Sequence, residues 1–218
     1  MVEIKRKQRH GFGSFGDMEI SRLEGAIIAS FFPEAEEMTI KEIQDRVEEH
    51  SYERINSSLK SLTEKKIVLC KQKGKTLVYS LDLNNLYAES MGFNAYMLQR
   101  ETDFIKDHKN VYRAIKEIEE NPLIWGIILF GSYSKGTETK QSDVDLICVS
   151  NKKEEAEHFI KSLKYKHNIN FTPVVLPLHE FPNIKKDNSQ LWHDLKIYGI
   201  VFKGDDTFYY WMYKNEKN

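Results

Sequence analysis

The chain has 218 residues, of which 40% are hydrophobic and 30% charged, with a formal net charge of −1, which is ordinary for two compact globular domains. It has no apolar run of the roughly 18 residues that a membrane span needs, and its start lacks the apolar core of a signal peptide. The two cysteines form neither a disulfide framework nor a zinc pattern, so we expect a cytoplasmic protein with no membrane contact.

The first 19 residues are basic and rich in glycine. They contain KRKQRH followed by GFGSFG, in which Gly11, Gly13 and Gly16 match the Gly-x-Gly-x-x-Gly pattern. No buried strand precedes this pattern and no acidic partner follows at the spacing of a βαβ unit, so we reject a dinucleotide site. We interpret residues 1–19 as a flexible basic arm, with a nucleic-acid contact as the second interpretation.

Residues 20–83 carry three helical patterns followed by two alternating apolar runs. The first pattern ends at Pro33, the second opens at Thr39 with Glu42 in a capping box, and the third begins at Ser51. The third helix is predicted to bury one face, formed by Tyr52, Ile55, Leu59 and Leu62. The runs in IVLCKQKGKTLVYSLDL predict a hairpin with a basic tip.

Three helices followed by a basic hairpin resemble a winged helix-turn-helix DNA-binding domain. From Arg54 to Lys75 there are seven positive residues and one negative residue, in a chain that is nearly neutral. Phosphate contacts would supply affinity for double-stranded DNA, and short polar side chains of the third helix would meet base edges in the major groove. The predicted DNA-binding residues are Arg54, Ser57, Ser58, Lys60, Ser61, Lys71, Lys73 and Lys75. The alternative is a winged domain used for protein contacts or dimerisation.

Residues 84–109 are polar and helix-favouring, with aromatic residues at irregular spacing. We interpret them as a helical connector. Its apolar residues would pack against one or both neighbouring domains, or against a second copy of the chain in a homodimer. The last domain is predicted to span residues 110–218, with its first helix before Pro122.

The stretch GSYSKGTETKQSDVDL, directly behind the apolar run WGIILF, has the parts of a polyphosphate site. Gly131 allows a sharp turn, and Ser132 adds a hydroxyl to the free N–H groups of a helix start. Lys135 would contribute a point charge to a phosphate. Asp143 and Asp145 lie two apart on a predicted strand, so their carboxylates leave one face and suit Mg²⁺. The alternative is an ordinary turn and a solvated strand end.

A strand, Gly-Ser, ten further residues and Asp-x-Asp together resemble the minimal nucleotidyltransferases of the DNA polymerase beta superfamily. The resemblance covers about the last hundred residues, including LWHDLKIYGIVFKG, which is similar to the helix and strand that close such domains. It implies transfer of a nucleoside monophosphate from a nucleoside triphosphate (NTP). Gly131 and Ser132 would contact the phosphates, and Asp143 and Asp145 would be catalytic ligands of Mg²⁺ or Mn²⁺.

One part of the family pattern is missing. Active members usually carry a third carboxylate on a following strand, and the corresponding strand, INFTPVVL, has Asn170 and Thr172 as its polar positions. Neither side chain is a base, and an asparagine carbonyl ligates a hard cation without adding negative charge. Asn170 is therefore only an auxiliary candidate, together with Glu180, which lies a few residues beyond the strand.

The sequence thus predicts an α+β fold, in which a winged helix-turn-helix, a helical connector and a small mixed-sheet nucleotidyltransferase domain follow one another. The predicted function is binding of an NTP with Mg²⁺ and transfer of its nucleoside monophosphate to a hydroxyl of a protein or a small molecule, in a regulatory role. One alternative is a non-catalytic transcriptional regulator that senses nucleotide. Another is an RNA-modifying enzyme whose winged domain holds RNA.

Overall fold

The structure is a computed structural model that describes residues 20–33, 36–82 and 84–214. The predicted basic arm of residues 1–19, with its glycine pattern, lies outside the described residues.

The first part of the chain folds as three helices and a three-stranded antiparallel sheet. In chain order the elements are α1 (Arg22–Ser30), β1 (Met38–Thr39), α2 (Ile40–Val47), α3 (Tyr52–Glu64), β2 (Val68–Lys73) and β3 (Thr76–Leu81). Capping boxes start α1 at Ser21 and α2 at Thr39, and the hydroxyl of Ser51 caps α3. The strand order is β1-β3-β2, and the hairpin turns at Gly74, where φ is +61°.

This arrangement confirms the predicted winged helix-turn-helix, including the capping box of Thr39 with Glu42. Ile55, Leu59 and Leu62 are fully buried, as expected. The prediction for Tyr52 is wrong, because its side chain is 57% exposed. Tyr52 is the first residue of α3 and stands almost one turn before Ile55, where the buried face of the helix begins.

Two helices connect this domain to a second sheet. They are α4 (Leu86–Asp107) and α5 (Lys109–Glu120). The predicted connector is therefore mainly one helix of 22 residues. Neither α4 nor any other helix in the described part of the chain is long and apolar enough to cross a membrane.

The second sheet has four strands and is flanked by short helices. Its elements are β4 (Gly126–Phe130), α6 (Gly131–Lys135), β5 (Val144–Val149), α7 (Lys153–Ser162), α8 (Lys164–His167), β6 (Phe171–Leu176), a 3-10 segment (Leu178–Asn183), α9 (Ile184–Asp187), α10 (Ser189–Tyr198), β7 (Ile200–Lys203), α11 (Asp205–Tyr209) and a π-helical turn (Tyr210–Lys214). The strand order is β6-β5-β4-β7, with β5 and β6 parallel and the other pairs antiparallel. The predicted small mixed sheet is confirmed.

Side chains alternate across β5 between two packing layers. Val144, Leu146 and Cys148 are fully buried against the layer that contains α5 and α7. Ile147 and Val149 face the opposite layer, which is formed by α4, α10 and α11. Asp145 shares that second face and lies at its open edge, level with the end of β4.

The winged domain and the second sheet share one hydrophobic core. Phe31 at the end of α1, Phe93 on α4, and Ile128, Val201 and Phe208 around the sheet all belong to the same buried cluster. The connector α4 therefore packs on both domains with its apolar side chains.

Candidate functional site

The turn at Gly131 brings the end of β4 against the carboxylate of Asp145. Phe130 pairs with Asp145 across the two strands, and Gly131 has a φ of +72°. A Cβ atom at Gly131 would lie 2.1 Å from Oδ2 of Asp145, well inside van der Waals contact. Only glycine allows this close approach, because every other residue would both collide and adopt a strained backbone.

Asp143 and Asp145 lie at the same end of the sheet as this turn. Asp143 immediately precedes β5 and is exposed, whereas Asp145 is half-buried. Burial, and then the negative charge of Asp143, raise the pKa of Asp145 above its ordinary value. The two carboxylates are thus close enough to repel each other, which is the environment that a bound divalent cation relieves.

The start of α6 carries no capping side chain. Phe130 occupies the N-cap position without a side-chain hydrogen bond, and the first turn has no acidic residue. Ser132 lies in this first turn and is half-buried. The helix ends at Gly136, whose φ is +67°, so the chain turns sharply at both ends of a five-residue helix. The first N–H groups of α6 and the Ser132 hydroxyl form the predicted phosphate-binding end.

Lys135 is held in place by contacts with α10. Its Nζ lies 2.6 Å from Oδ2 of Asp194 and 5.1 Å from the centre of the Tyr198 ring, both on α10. The hydrogen bond from Lys135 lowers the pKa of Asp194. A phosphate contact from Lys135 would require its ammonium group to leave Asp194.

The register of β6 identifies the residue beside the Asp pair. Thr172 pairs directly with Asp145, whereas Asn170 precedes the strand and its backbone carbonyl accepts from the Val144 N–H at 2.8 Å. Glu180 follows the opposite end of β6. Because the four steps from Thr172 to Leu176 span about 13 Å of strand, the register does not bring Glu180 back to the Asp pair.

The donor set fits a cation that is held mainly by its ligand's phosphates. Within the described residues there is no group of three or more His, Cys, Asp or Glu side chains arranged to hold a metal ion. Two aspartates at the edge of a glycine turn match the usual Mg²⁺ pattern of one or two carboxylates plus substrate oxygens and water. The two carboxylates therefore fit Mg²⁺ that is also bound by phosphate oxygens.

Residues that the sequence pattern did not single out surround this edge. Arg100 on α4 donates to the carbonyl of Ser134 in α6 at 3.1 Å. Between Glu138 and Asp143 the chain makes a turn, in which the Ser142 N–H donates to the Thr139 carbonyl at 3.0 Å. Arg100 lies in a connector with no motif, so no signal in the sequence pointed to it.

His108 contacts Glu138 and also Tyr133, which lies on α6. His108 Nε2 lies 3.5 Å from Oε1 of Glu138, and the His108 ring meets the Tyr133 ring edge-on at 5.3 Å. Burial, followed by the charges of Glu138 and Asp143, raises the pKa of Tyr133. His108 and Tyr133 line a groove of about 380 Å³ together with residues 106–107 and 109–111. Tyr133 and Glu138 lie within residues 131–146, but nothing in their spacing indicates a functional role.

The exposed face of α3 retains most of the predicted DNA-binding residues. Arg54, Ser57 and Lys60 are exposed and Ser58 is half-buried. Ser61 points elsewhere: its hydroxyl donates to Oε1 of Glu24 on α1 at 2.7 Å. The structure thus gives Ser61 a role inside the domain, because Glu24 is buried and needs donors.

The wing lysines have an acidic neighbour that the count along the sequence omitted. Lys73 Nζ lies 2.5 Å from Glu37, and Lys71 Nζ lies 3.9 Å from the same carboxylate. The hydrogen bond from Lys73 lowers the pKa of Glu37. Lys75 stands in the exposed hairpin turn. The positive charge of the wing is therefore partly compensated in the folded domain.

Comparison with known families matches both halves of the chain separately. Residues 111–198 match the nucleotidyltransferase domain family, and residues 20–90 match the penicillinase repressor family. The first match contains most of α5, the Gly131 turn, both aspartates and α10, and the second contains the winged domain and the start of α4. Searches of curated proteins and of solved structures found no match.

Proposed function

We propose that this chain, which joins a nucleotidyltransferase domain to a winged-helix domain of the penicillinase repressor type, binds an NTP with a divalent cation and transfers its nucleoside monophosphate. The acceptor would be a hydroxyl of a protein or of a small molecule. The protein would act in the cytoplasm and have a regulatory role through binding of double-stranded DNA by its winged domain. That the chain forms a homodimer stays a prediction.

The observation that carries this proposal is the contact between the Gly131 turn and Asp145. A turn with positive φ presents backbone N–H groups, and a half-buried carboxylate lies directly against it. An anion-binding helix start and a metal-binding carboxylate at one point are the two requirements of a metal-bound polyphosphate. A merely structural strand end would not need a glycine in contact with a carboxylate.

The proposed transfer is a single displacement at the α-phosphorus. The acceptor oxygen forms a bond to this phosphorus, the bond to the bridging oxygen of the leaving group breaks, and pyrophosphate departs with that electron pair. The hydroxyl proton passes to solvent or to a phosphate oxygen, because Thr172, the residue level with Asp145, is not a base. Residues Gly131 and Ser132 would orient the triphosphate, so positioning supplies most of the catalysis.

Asp143 and Asp145 would hold the cation. Mg²⁺ or Mn²⁺ bound there supplies charge neutralisation for the phosphates during transfer. Burial, and then the charge of Asp143, raise the pKa of Asp145, and the two carboxylates together supply the negative charge that attracts the cation. Lys135 would contribute to phosphate binding after release from Asp194.

A second candidate function is a nucleotide sensor without catalysis. The specific observation in its favour is the register of β6, which sets Thr172, a residue without a carboxylate, beside Asp145. A sensor would bind MgNTP and change the DNA affinity of the winged domain, which requires reciprocal coupling between the two sites.

Label transfer separates the two functions. The protein is incubated with each α-labelled NTP, Mg²⁺ or Mn²⁺, and a lysate of its source, alongside Asp143→Asn, Asp145→Asn and the exposed control Asp206→Asn. The enzyme predicts label on an acceptor with the parent and with Asp206→Asn only. Saturable, metal-dependent NTP binding without label supports the sensor, and absence of binding contradicts both.

Salt-dependent DNA binding tests the winged domain. Lys75→Glu, in the wing turn, is compared with Lys140→Glu, an exposed lysine in the second domain. We expect Lys75→Glu to weaken binding and reduce the slope of log affinity against log salt by about 1, the contribution of one phosphate contact. Equal effects of the two variants would contradict DNA binding by the wing.

A further inference from the structure

Arg100 forms several hydrogen bonds between the connector and the nucleotidyltransferase domain. Its Nη1 donates to the Ile197 carbonyl at 2.8 Å and to the Tyr96 hydroxyl at 3.0 Å. Its Nη2 donates to the Tyr198 carbonyl at 2.5 Å and to the Ser134 carbonyl at 3.1 Å. One guanidinium group therefore contacts three backbone carbonyls that belong to two different helices.

These carbonyls are the ones that helices leave unsatisfied. Ile197 and Tyr198 are the last two residues of α10, and Ser134 is the last but one of α6. Carbonyls in the final turn have no partner within their helix, and a cation at that end is favourable. The planar fork of an arginine carries enough donors for all three, whereas a lysine presents one compact charge. Arg100 thus caps both helix ends at once.

The same contact fixes the phosphate-binding end of α6. This helix has only five residues, and Ser134 lies three residues after Gly131, with its hydroxyl donating to the Gly131 carbonyl at 3.0 Å. A shift at Ser134 is therefore transmitted to the turn that touches Asp145. Lys135 also ties α6 to α10. Arg100 adds a tie from outside the matched nucleotidyltransferase residues 111–198.

We propose that Arg100 is a positioning residue for triphosphate binding: from α4 it holds α6 against α10, so that the Gly131 turn is preorganised for phosphate. The inference rests on the proposed function, since it concerns the same site. It adds that the nucleotidyltransferase domain depends on a side chain of the connector for its affinity.

The test measures MgNTP affinity and thermal stability of the full chain for Arg100→Gln, Arg100→Lys and a matched control. The control is Lys203→Met, because Lys203 also donates to a backbone carbonyl, that of Glu119 at 2.6 Å, at the far end of β7. We expect affinity to fall about ten-fold in Arg100→Gln and about three-fold in Arg100→Lys, a range typical of one lost charged hydrogen-bond set. Lys203→Met should lose stability and keep the parent affinity.

The outcomes separate this inference from the proposed function. If the parent binds MgNTP and both Arg100 variants bind it equally well, Arg100 is a structural tie only and the inference is wrong. If Lys203→Met loses as much affinity as Arg100→Gln, the effect comes from general destabilisation, which also overturns the inference. Absence of MgNTP binding by the parent would overturn the proposed function itself.

Discussion

A single atom at position 131 decides whether the proposed site exists. The hydrogen on Gly131 leaves room for Oδ2 of Asp145, which a methyl group would approach to 2.1 Å. Gly136, at the other end of α6, also has a positive φ, but a methyl group there would have nothing within 4 Å. Gly131 is therefore required by a close contact with Asp145, whereas Gly136 is required only by the turn of the backbone.

Replacement of each glycine by alanine should separate these needs. Gly136→Ala is expected to lower the free energy of unfolding by about 1–2 kcal/mol, because an alanine is strained at a positive φ. Gly131→Ala bears that cost and also displaces the Asp145 carboxylate, so it should be less stable and lose metal-dependent NTP binding. Denaturant unfolding and nucleotide titration measure both quantities. Equal NTP affinity in the two variants would contradict the contact at Gly131.

The raised pKa of Asp145 predicts that this carboxylate destabilises the ligand-free protein. A folded-state pKa above the unfolded value means that ionisation opposes folding, so the cost is absent below about pH 3.9 and present above the raised pKa. Asp145→Asn should then raise the free energy of unfolding at pH 7 and lose its advantage as the pH falls. Urea unfolding across this pH range checks the sign. A variant less stable than the parent at pH 7 without ligand would contradict the assignment.

At the scale of elements, the two capping boxes differ in what lies beyond them. Glu42 is exposed and accepts hydrogen bonds from its own N-cap, Thr39, whereas Glu24 also accepts from Ser61 of α3 and from Lys65, the C-cap residue of that helix. Burial alone would raise the pKa of Glu24, but the hydrogen bonds from Lys65, Ser61 and Ser21 outweigh it and lower the pKa to about 2. A cap at the start of α1 thus also fastens α1 to α3.

Glu24→Gln should therefore destabilise the winged domain more than Glu42→Gln. We expect a loss of about 1–3 kcal/mol for Glu24→Gln, as for a buried charged hydrogen-bond partner, and a smaller loss for the exposed residue. Because the pKa is lowered, the Glu24 contribution is complete above about pH 4.5 and disappears as the pH falls towards 2. Thermal unfolding at several pH values measures it. Equal losses for both variants at pH 7 would show that the α1–α3 contact is unimportant.

The wing provides a prediction in the direction of tighter binding. Glu37 pairs with Lys73 and lies near Lys71. The substitution Glu37→Gln therefore frees these two lysine side chains on the face proposed to meet DNA. We expect stronger DNA binding and a salt slope steeper by about 1–2, one increment for each freed phosphate contact. Gel shifts over a salt series measure the change, with Glu64→Gln as the exposed control. Unchanged or weaker binding by Glu37→Gln would place the DNA contact elsewhere.

Elements were predictable from the sequence where their determinants are a few residues apart. The capping box of Thr39 and Glu42, the hairpin turn at Gly74 and the short helix ending at Gly136 are each local patterns. What required coordinates were contacts between distant residues. Ser61 reaches Glu24 across 37 positions and Arg100 reaches Tyr198 across 98, and no periodicity encodes such pairs. The same limit applies to Thr172, whose place beside Asp145 depends on strand register.

At the scale of the whole molecule, the shared core makes α4 a structural part of both domains. Phe93 of α4 packs against Phe32 of the winged domain, 6.2 Å between ring centres, and against Tyr209 beyond β7, at 5.3 Å. Further along α4, Tyr96 and Arg100 both donate to the backbone carbonyl of Ile197 on α10. Packed and hydrogen-bonded side chains therefore connect the Gly131 turn to α1.

This continuity predicts that the chain unfolds in one transition. Phe93→Ala should cost about 3–5 kcal/mol and lower the stability of both domains together. Leu98→Ala, on the same helix but 55% exposed, should change stability by less than about 0.5 kcal/mol. Calorimetry combined with hydrogen exchange in α3 and β5 measures both domains. Two separate transitions in the parent, or protection lost in one domain only, would contradict a common core.

The burial of Phe93 between two folded units also affects any attempt to study them apart. A fragment that ends before α4 would expose the aromatic surface around Phe31 and Phe32. A fragment that begins after α4 would expose the sheet face at Val201 and Phe208. Such pieces are expected to aggregate or precipitate, so a failed assay on an isolated fragment would report on insolubility. Chimaeras that exchange the winged domain or the nucleotidyltransferase domain therefore need to include α4 with the exchanged domain.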